Sequence, residues 1–319
     1  MLVFANHLGL KVESLPPFQF WHFCGFGNLV SNQYTYSFHA MPNLDDILAA
    51  KRQWVAKARQ AADMRVLEEK ANSHSPRGFR KRLAAMSQVG PAVIAELKKA
   101  SPSKGVLRGS FPVGSLANQL AKNGASALSV LTDEEFFHGS LSNLLEASAA
   151  TELPCLRKDF IVDEFQIIEA RAHRADAVLL ILAALNDADF RQFLARAREL
   201  HLDALCEVHD ADELKRALDG GADIIGVNSR NLRTFEVNLE TLRELAPNIP
   251  GRVLRIAESG IASGSEIGEL HNYGYSAFLI GETLMRASDP GKKLRQLLEE
   301  ANSLPQFTVG SASWRGTIH

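Results

Sequence analysis

Residues 203–228 read DALCEVHDADELKRALDGGADIIGVN. The first six residues are a short apolar run, 211–218 space their apolar side chains for a helix, and 223–228 are apolar again. This is strand, helix, strand, the connection that two parallel strands require. The same unit recurs on both sides. Strand-length apolar runs also fall at 92–97, 127–131, 154–160, 177–185, 253–257 and 277–281, with helical patterns at 113–122, 187–200, 239–245 and 291–299. Eight βα units over about 210 residues fit one (β/α)8 TIM barrel, for which roughly 250 residues are typical.

A doubly wound sheet is built from the same unit. Here no Gly-x-Gly-x-x-Gly follows the first strand, and charged residues instead end several different strands, where barrel enzymes build their sites. Ahead of the barrel, Leu44, Ile47, Leu48, Lys51 and Val55 keep helical spacing behind a capping Asn43, which predicts an N-terminal helical extension. The catalytic domain is expected over 41–304, followed by a tail at 305–319. Residues 1–40 hold nine of the 24 aromatic residues but only two charges, Lys11 and Glu13, and read as a poorly ordered appendage. They lack the basic start and cleavage site of a secretory signal and the arginines of a transit peptide.

Lys and Arg total 35 against 37 Asp and Glu, so no basic excess exists to bind nucleic acid or an anionic membrane, and neither partner is expected. The nine apolar residues of 177–185 fall well short of the roughly 20 that span a bilayer. Cys24, Cys155 and Cys206 form no CxxC and have no histidines at ligand spacing, which argues against a disulfide framework or a zinc site and fits a cytoplasmic protein.

Side chains two apart share a strand face. Glu96 and Lys98 end the first strand; Lys158 follows Leu156 on the third, Glu207 follows Leu205 on the fifth, Asn228 and Arg230 end the sixth, and Glu258 follows Ile256 on the seventh. Buried charge is costly unless paired or used, so this convergence of acids and bases reads as an active site. Ser259-Gly260 and Gly281-Glu282-Thr283 place backbone N–H groups of the last two βα loops around an anion, with the Glu282 carboxylate expected to point away. A phosphate is the expected anion.

These strings resemble those of the indole-3-glycerol-phosphate synthase family: Glu96-Leu97-Lys98-Lys99-Ala100-Ser101-Pro102-Ser103, Lys158-Asp159-Phe160, Glu207-Val208-His209, Gly226-Val227-Asn228-Ser229-Arg230-Asn231-Leu232, Ala257-Glu258-Ser259-Gly260 and Ile280-Gly281-Glu282. They occur in family order, and the resemblance spans about 44–299. It implies conversion of 1-(2-carboxyphenylamino)-1-deoxyribulose 5-phosphate to indole-3-glycerol phosphate, with loss of carbon dioxide and water and without metal or organic cofactor. It also implies the roles. Lys158 matches the general acid of ring closure, Glu207 the glutamate of dehydration, and Glu96 a second catalytic glutamate. Lys98, Ser101, Asn228, Arg230, Glu258 and Ser259 match substrate-binding positions, and Phe137, Phe160, Leu180 and Leu232 match the hydrophobic pocket for the anthranilate ring. The phosphate would take Ser259, Gly260, Gly281 and Glu282. Lys98 and Arg230 are expected to hold the Lys158 pKa down, Cys206 is expected to be a core residue, and association with other tryptophan-pathway enzymes is compatible with the family. Two other readings stand beside this one: phosphoribosylanthranilate isomerase, whose Cys and Asp are missing at these strand ends, and a catalytically silent sugar-phosphate-binding barrel, which has no use for Lys158 with Glu207.

Overall fold

Eight parallel strands close on themselves in sequence order: β1 (Ala92–Leu97), β2 (Ala127–Leu131), β3 (Cys155–Lys158), β4 (Ala177–Ile181), β5 (Asp203–Val208), β6 (Ile224–Asn228), β7 (Leu254–Glu258) and β8 (Ala277–Ile280). β1 pairs with both β2 and β8, which completes the ring. This computed structural model describes residues 43–303, so the expectations for 1–40, for 305–319 and for Cys24 lie outside the described residues. The apolar run 177–185 splits: β4 ends at Ile181, and Leu182–Ala184 form a single 3₁₀ turn. Among the described residues no helix is long and apolar enough to cross a membrane.

Three helices precede the barrel: α1 (Leu44–Ala61), α2 (Met64–Ser73) and α3 (Phe79–Met86). The outer ring comprises α4 (Val113–Lys122), α5 (Leu141–Ala150), α6 (Phe165–Ala172), α7 (Asp187–Glu199), α8 (Ala211–Asp219), α9 (Glu240–Leu245) and α10 (Gly264–Asn272), then α11 (Glu282–Arg286) and α12 (Pro290–Ser303) after β8. Asn43 starts α1 with a reciprocal cap: its side chain accepts from the Asp46 N–H, and Asp46 accepts from the Asn43 N–H.

Strand alternation divides the core into two layers. Outward-facing Val93, Leu128, Val178, Leu180, Cys206, Val208 and Val227 pack against the helices. Inward-facing Ile94, Leu156, Leu179, Leu205, Ile224 and Ile256 fill the barrel, and Phe79 and Leu83 of α3 join them. The backbone N–H of Arg80 donates to Asp203 at the start of β5, so α3 plugs the N-terminal end. The opposite end is left open for chemistry.

Candidate active site

Alternation turns Glu96, Lys158, Glu207, Asn228 and Glu258 into the open end of the barrel, above the apolar filling. The Lys158 Nζ lies 2.7 Å from Glu207 Oε2 and 3.4 Å from Glu258 Oε2. Asn228 Nδ2 donates to the other oxygen of Glu207 at 3.1 Å. Glu96 pairs with Lys98 at 2.6 Å. Lys158 keeps 15% of its side-chain surface accessible against 1% for Glu207 and 2% for Glu258, so an incoming molecule meets the ammonium before the acids behind it.

Two glycines make room for buried carboxylates. A Cβ on Gly226 would lie 2.0 Å from Glu258 Oε1, and one on Gly281 would lie 2.2 Å from Glu96 Oε1. Any side chain at either position would push its acid out of place.

Burial alone would drive Lys158 towards the neutral amine and all the acids towards the protonated form. For Lys158, burial is outweighed by Glu207, Glu258 and Glu96, and its pKa lies above the ordinary lysine value. The expectation that Lys98 and Arg230 hold it down is therefore corrected: Lys98 is occupied by Glu96, and the groups facing Lys158 are acids. Glu207 is also buried, but Lys158 and His209 outweigh the burial and hold it well below the usual carboxylate range. Glu258 goes the other way. Burial, helped by Glu207 and Glu96 and opposed by Lys158, pushes it up to about 8, and its Oε1 has no hydrogen-bond partner among the described residues. The same surroundings thus push these two carboxyls apart, Glu207 towards the ionised form and Glu258 towards the protonated form.

A cavity of about 800 Å³ opens above these groups. Phe137 and Phe160, from the loops after β2 and β3, stand 6.2 Å apart between ring centroids and line it together with Leu131, Ile181 and Leu232. Across the barrel it is lined by Ser259-Gly260 and Gly281-Glu282-Thr283. Ser259 and Gly260 both have positive φ, 66° and 74°, and the Thr283 hydroxyl donates to the Ile261 carbonyl, tying the two loops together. Lys98, Ser101 and Arg230 also face the cavity.

One further expectation is corrected. Leu180 does not line the cavity; it is fully buried in the outer layer, in register with Cys206, and its neighbours Leu179 and Ile181 face inward instead. The Glu282 carboxylate accepts from Arg286 at 2.9 Å and lies 3.8 Å from Arg230. The Arg230 guanidinium also donates to the Phe235 carbonyl.

Sequence reasoning passed over several cavity residues. Leu44 and Ile47 of α1 line the cavity. Behind them, buried Lys51 reaches Asp133 at 2.6 Å and Asp159 at 2.8 Å, in the loops that carry Phe137 and Phe160. A lysine at a buried position of an apolar stripe was the signal for this contact. His209, three residues into the Glu-Val-His string, lies behind Glu207 with its Nε2 3.4 Å from Glu207 Oε1.

Fold and site define a class: a (β/α)8-barrel enzyme that works by proton transfer at the C-terminal ends of its strands. The family model "Indole-3-glycerol phosphate synthase" matches residues 44–297. Indole-3-glycerol phosphate synthase of Koribacter versatilis is 54% identical over 255 residues, covering 80% of this chain and 98% of that protein. The Burkholderia ambifaria protein of the same name is 47% identical over the same length and coverage. The chain belongs to the indole-3-glycerol phosphate synthase family. Among solved structures, tryptophan synthase subunit alpha from Legionella pneumophila superposes with a TM-score of 0.53 at 12% identity, over 72% of this chain and 100% of that one. An N-acetylmannosamine-6-phosphate 2-epimerase from Clostridium perfringens gives 0.51 at 16% identity, over 63% and 91%. These two share the fold.

Proposed function

We propose that the chain converts 1-(2-carboxyphenylamino)-1-deoxyribulose 5-phosphate to indole-3-glycerol phosphate, as a carboxy-lyase of tryptophan biosynthesis. The observation that carries this reading is the Lys158 ammonium held between Glu207 and Glu258 on the floor of a cavity with aromatic side chains on one side and glycine loops on the other. The carboxyphenyl ring packs against Phe137, Phe160 and Leu232. The phosphate takes the backbone N–H groups around Gly260 and Gly281, and Arg230 and Lys98 serve the anionic groups of the substrate.

In ring closure the aromatic carbon attacks the ribulose carbonyl, and Lys158 gives its proton to the carbonyl oxygen, which becomes a hydroxyl. The carboxylate then leaves as carbon dioxide, and the electrons of its bond restore the aromatic ring. Dehydration needs an acid for the departing hydroxyl and a base for a proton. A pair of carboxyls with pKa values pushed apart supplies both: Glu258 carries a proton at neutral pH and Glu207 can accept one. Glu96 pairs with Lys98 at the edge of the site, and its charge helps to raise the pKa of both Lys158 and Glu258. Incubating the protein with the carboxyphenylamino substrate tests the reading, because the indole product fluoresces where the substrate does not. No indole emission from folded protein would overturn it.

A further inference from the structure

His209 lies just past the end of β5, between two acids. Its Nδ1 is 3.0 Å from Glu213 Oε2 of α8, an oxygen that also accepts the His209 backbone N–H at 2.9 Å. Its Nε2 is buried and has no hydrogen-bond partner among the described residues, and Glu207 Oε1 stands 3.4 Å away. An ionised carboxylate only accepts hydrogen bonds, so a ring with one on each side is favourable when both nitrogens carry protons. The side chain is 14% exposed and does not line the cavity, so it reaches the chemistry through Glu207.

We propose that His209 is a positioning residue that, as an imidazolium anchored by Glu213, keeps Glu207 ionised through the part of the cycle in which Lys158 has given up its proton. The proposal rests on Glu207 acting as the base of dehydration. The groups that face Glu207 are Lys158 from β3, Asn228 from β6, Glu258 from β7 and His209. Lys158 and His209 are the two cations among them. Once Lys158 is neutral, Glu207 is a buried carboxylate beside Glu258, and one positive charge remains to stop it from taking a proton too early. The structure favours that charge at His209: Glu207 and Glu213 overcome the burial of the ring and raise its pKa to about 10. The unpartnered Nε2 is the donor that closes on Glu207, in keeping with catalytic hydrogen bonds that tighten only when substrate is bound.

The test is the pH dependence of indole formation in His209→Gln, which keeps a neutral donor near the Nε2 position but loses the charge. Removing a cation this close raises a carboxylate pKa by about 1 unit or more. The acid limb of the rate profile should therefore move up by about 1 pH unit, with the alkaline side unchanged and KM within about twofold of the parental value. In a Glu207→Gln background, His209→Gln should cost nothing further. An equal loss at all pH values, an unchanged profile, or a full additional loss in the Glu207→Gln background would overturn the proposal. If His209→Gln does not fold, as judged by thermal unfolding, the ring-nitrogen NMR shifts of His209 in the parental protein decide: an imidazolium at pH 7 supports the proposal, and a neutral ring there overturns it. Absence of indole formation by the parental protein would count against the proposed reaction instead, so the two failures are distinct.

Discussion

Lys158 faces one carboxyl held towards the ionised form and one pushed towards the protonated form, and this asymmetry sets what substitutions here should do. Lys158→Ala removes the proton for the first chemical step, so turnover should fall by at least about 10²-fold, the usual contribution of a general acid. Substrate binding should be largely kept, and single-turnover release of labelled carbon dioxide measures the effect directly. Near-parental release would place the first proton elsewhere. Glu207→Gln should instead let carbon dioxide leave while indole fluorescence lags; equal slowing of both signals would reassign that glutamate to an earlier step. Glu258 makes a prediction about stability. Its folded pKa of about 8 lies above the ordinary value of 4.5, so the folded state binds the extra proton between those limits. Stability from this group is present below pH 4.5 and is lost as pH rises towards 8, by up to about 1.4 kcal/mol per pH unit. Glu258→Gln cannot ionise, so denaturant unfolding at pH 5 and pH 8 should show a flatter dependence than the parental protein. Parallel curves would mean that Glu258 is already ionised when folded. These acids were legible in the sequence because a charged residue stands out at the end of an apolar strand. Leu180 was not placed correctly, because β4 is buried on both faces and an unbroken apolar run carries no alternation to read.

Helix α1 contributes more than a lid of apolar residues. Lys51 is 5% exposed, and its partners Asp133 and Asp159 are 2% and 1% exposed in their side chains. Both acids hold other parts of the site. Asp133 accepts from the backbone N–H of Phe136 at 2.7 Å and of Phe137, while Asp159 accepts from the Thr132 hydroxyl and the Arg157 guanidinium. Lys51 thus fastens the extension to the two loops that present the aromatic wall. Removing one member of a buried ion pair leaves its partner uncompensated, at about 3–5 kcal/mol. Lys51→Met should destabilise the protein by that order in denaturant unfolding, and adding Asp133→Asn should recover part of the loss, since Asp159 still has Arg157. No recovery in the double variant would mean that Asp133 is not the acid left stranded. The sequence revealed the helix, through its spacing and Asn43, and showed a lysine on the buried face. It could not show the clasp, because Asp133 and Asp159 are distant in sequence and local periodicity carries no information about which loops a helix will meet.

Across the whole molecule the two ends of the barrel do different work. The N-terminal end is closed by Phe79 and Leu83 and by the Arg77–Asp176 ion pair at 2.6 Å, all remote from the cavity; the C-terminal end gathers Lys158, its acids and the glycine loops. This polarity was readable from the repeating βα unit, since every strand must run the same way and deliver its last residues to one mouth. The last prediction concerns the limits of the working unit. The family match begins at residue 44, the Koribacter versatilis relative is covered to 98% of its length by 255 residues of this chain, and Asn43 already caps the first helix that touches the cavity. Each described side chain that faces the cavity therefore comes from residues within the shared region. We expect that deleting residues 1–40, so that the chain starts at Met41, leaves both turnover and the Michaelis constant close to the parental values. Steady-state indole fluorescence on the two proteins measures this. A fall in turnover greater than about tenfold, equivalent to about 1.4 kcal/mol of barrier, would show that the aromatic-rich segment supports the site from outside the barrel.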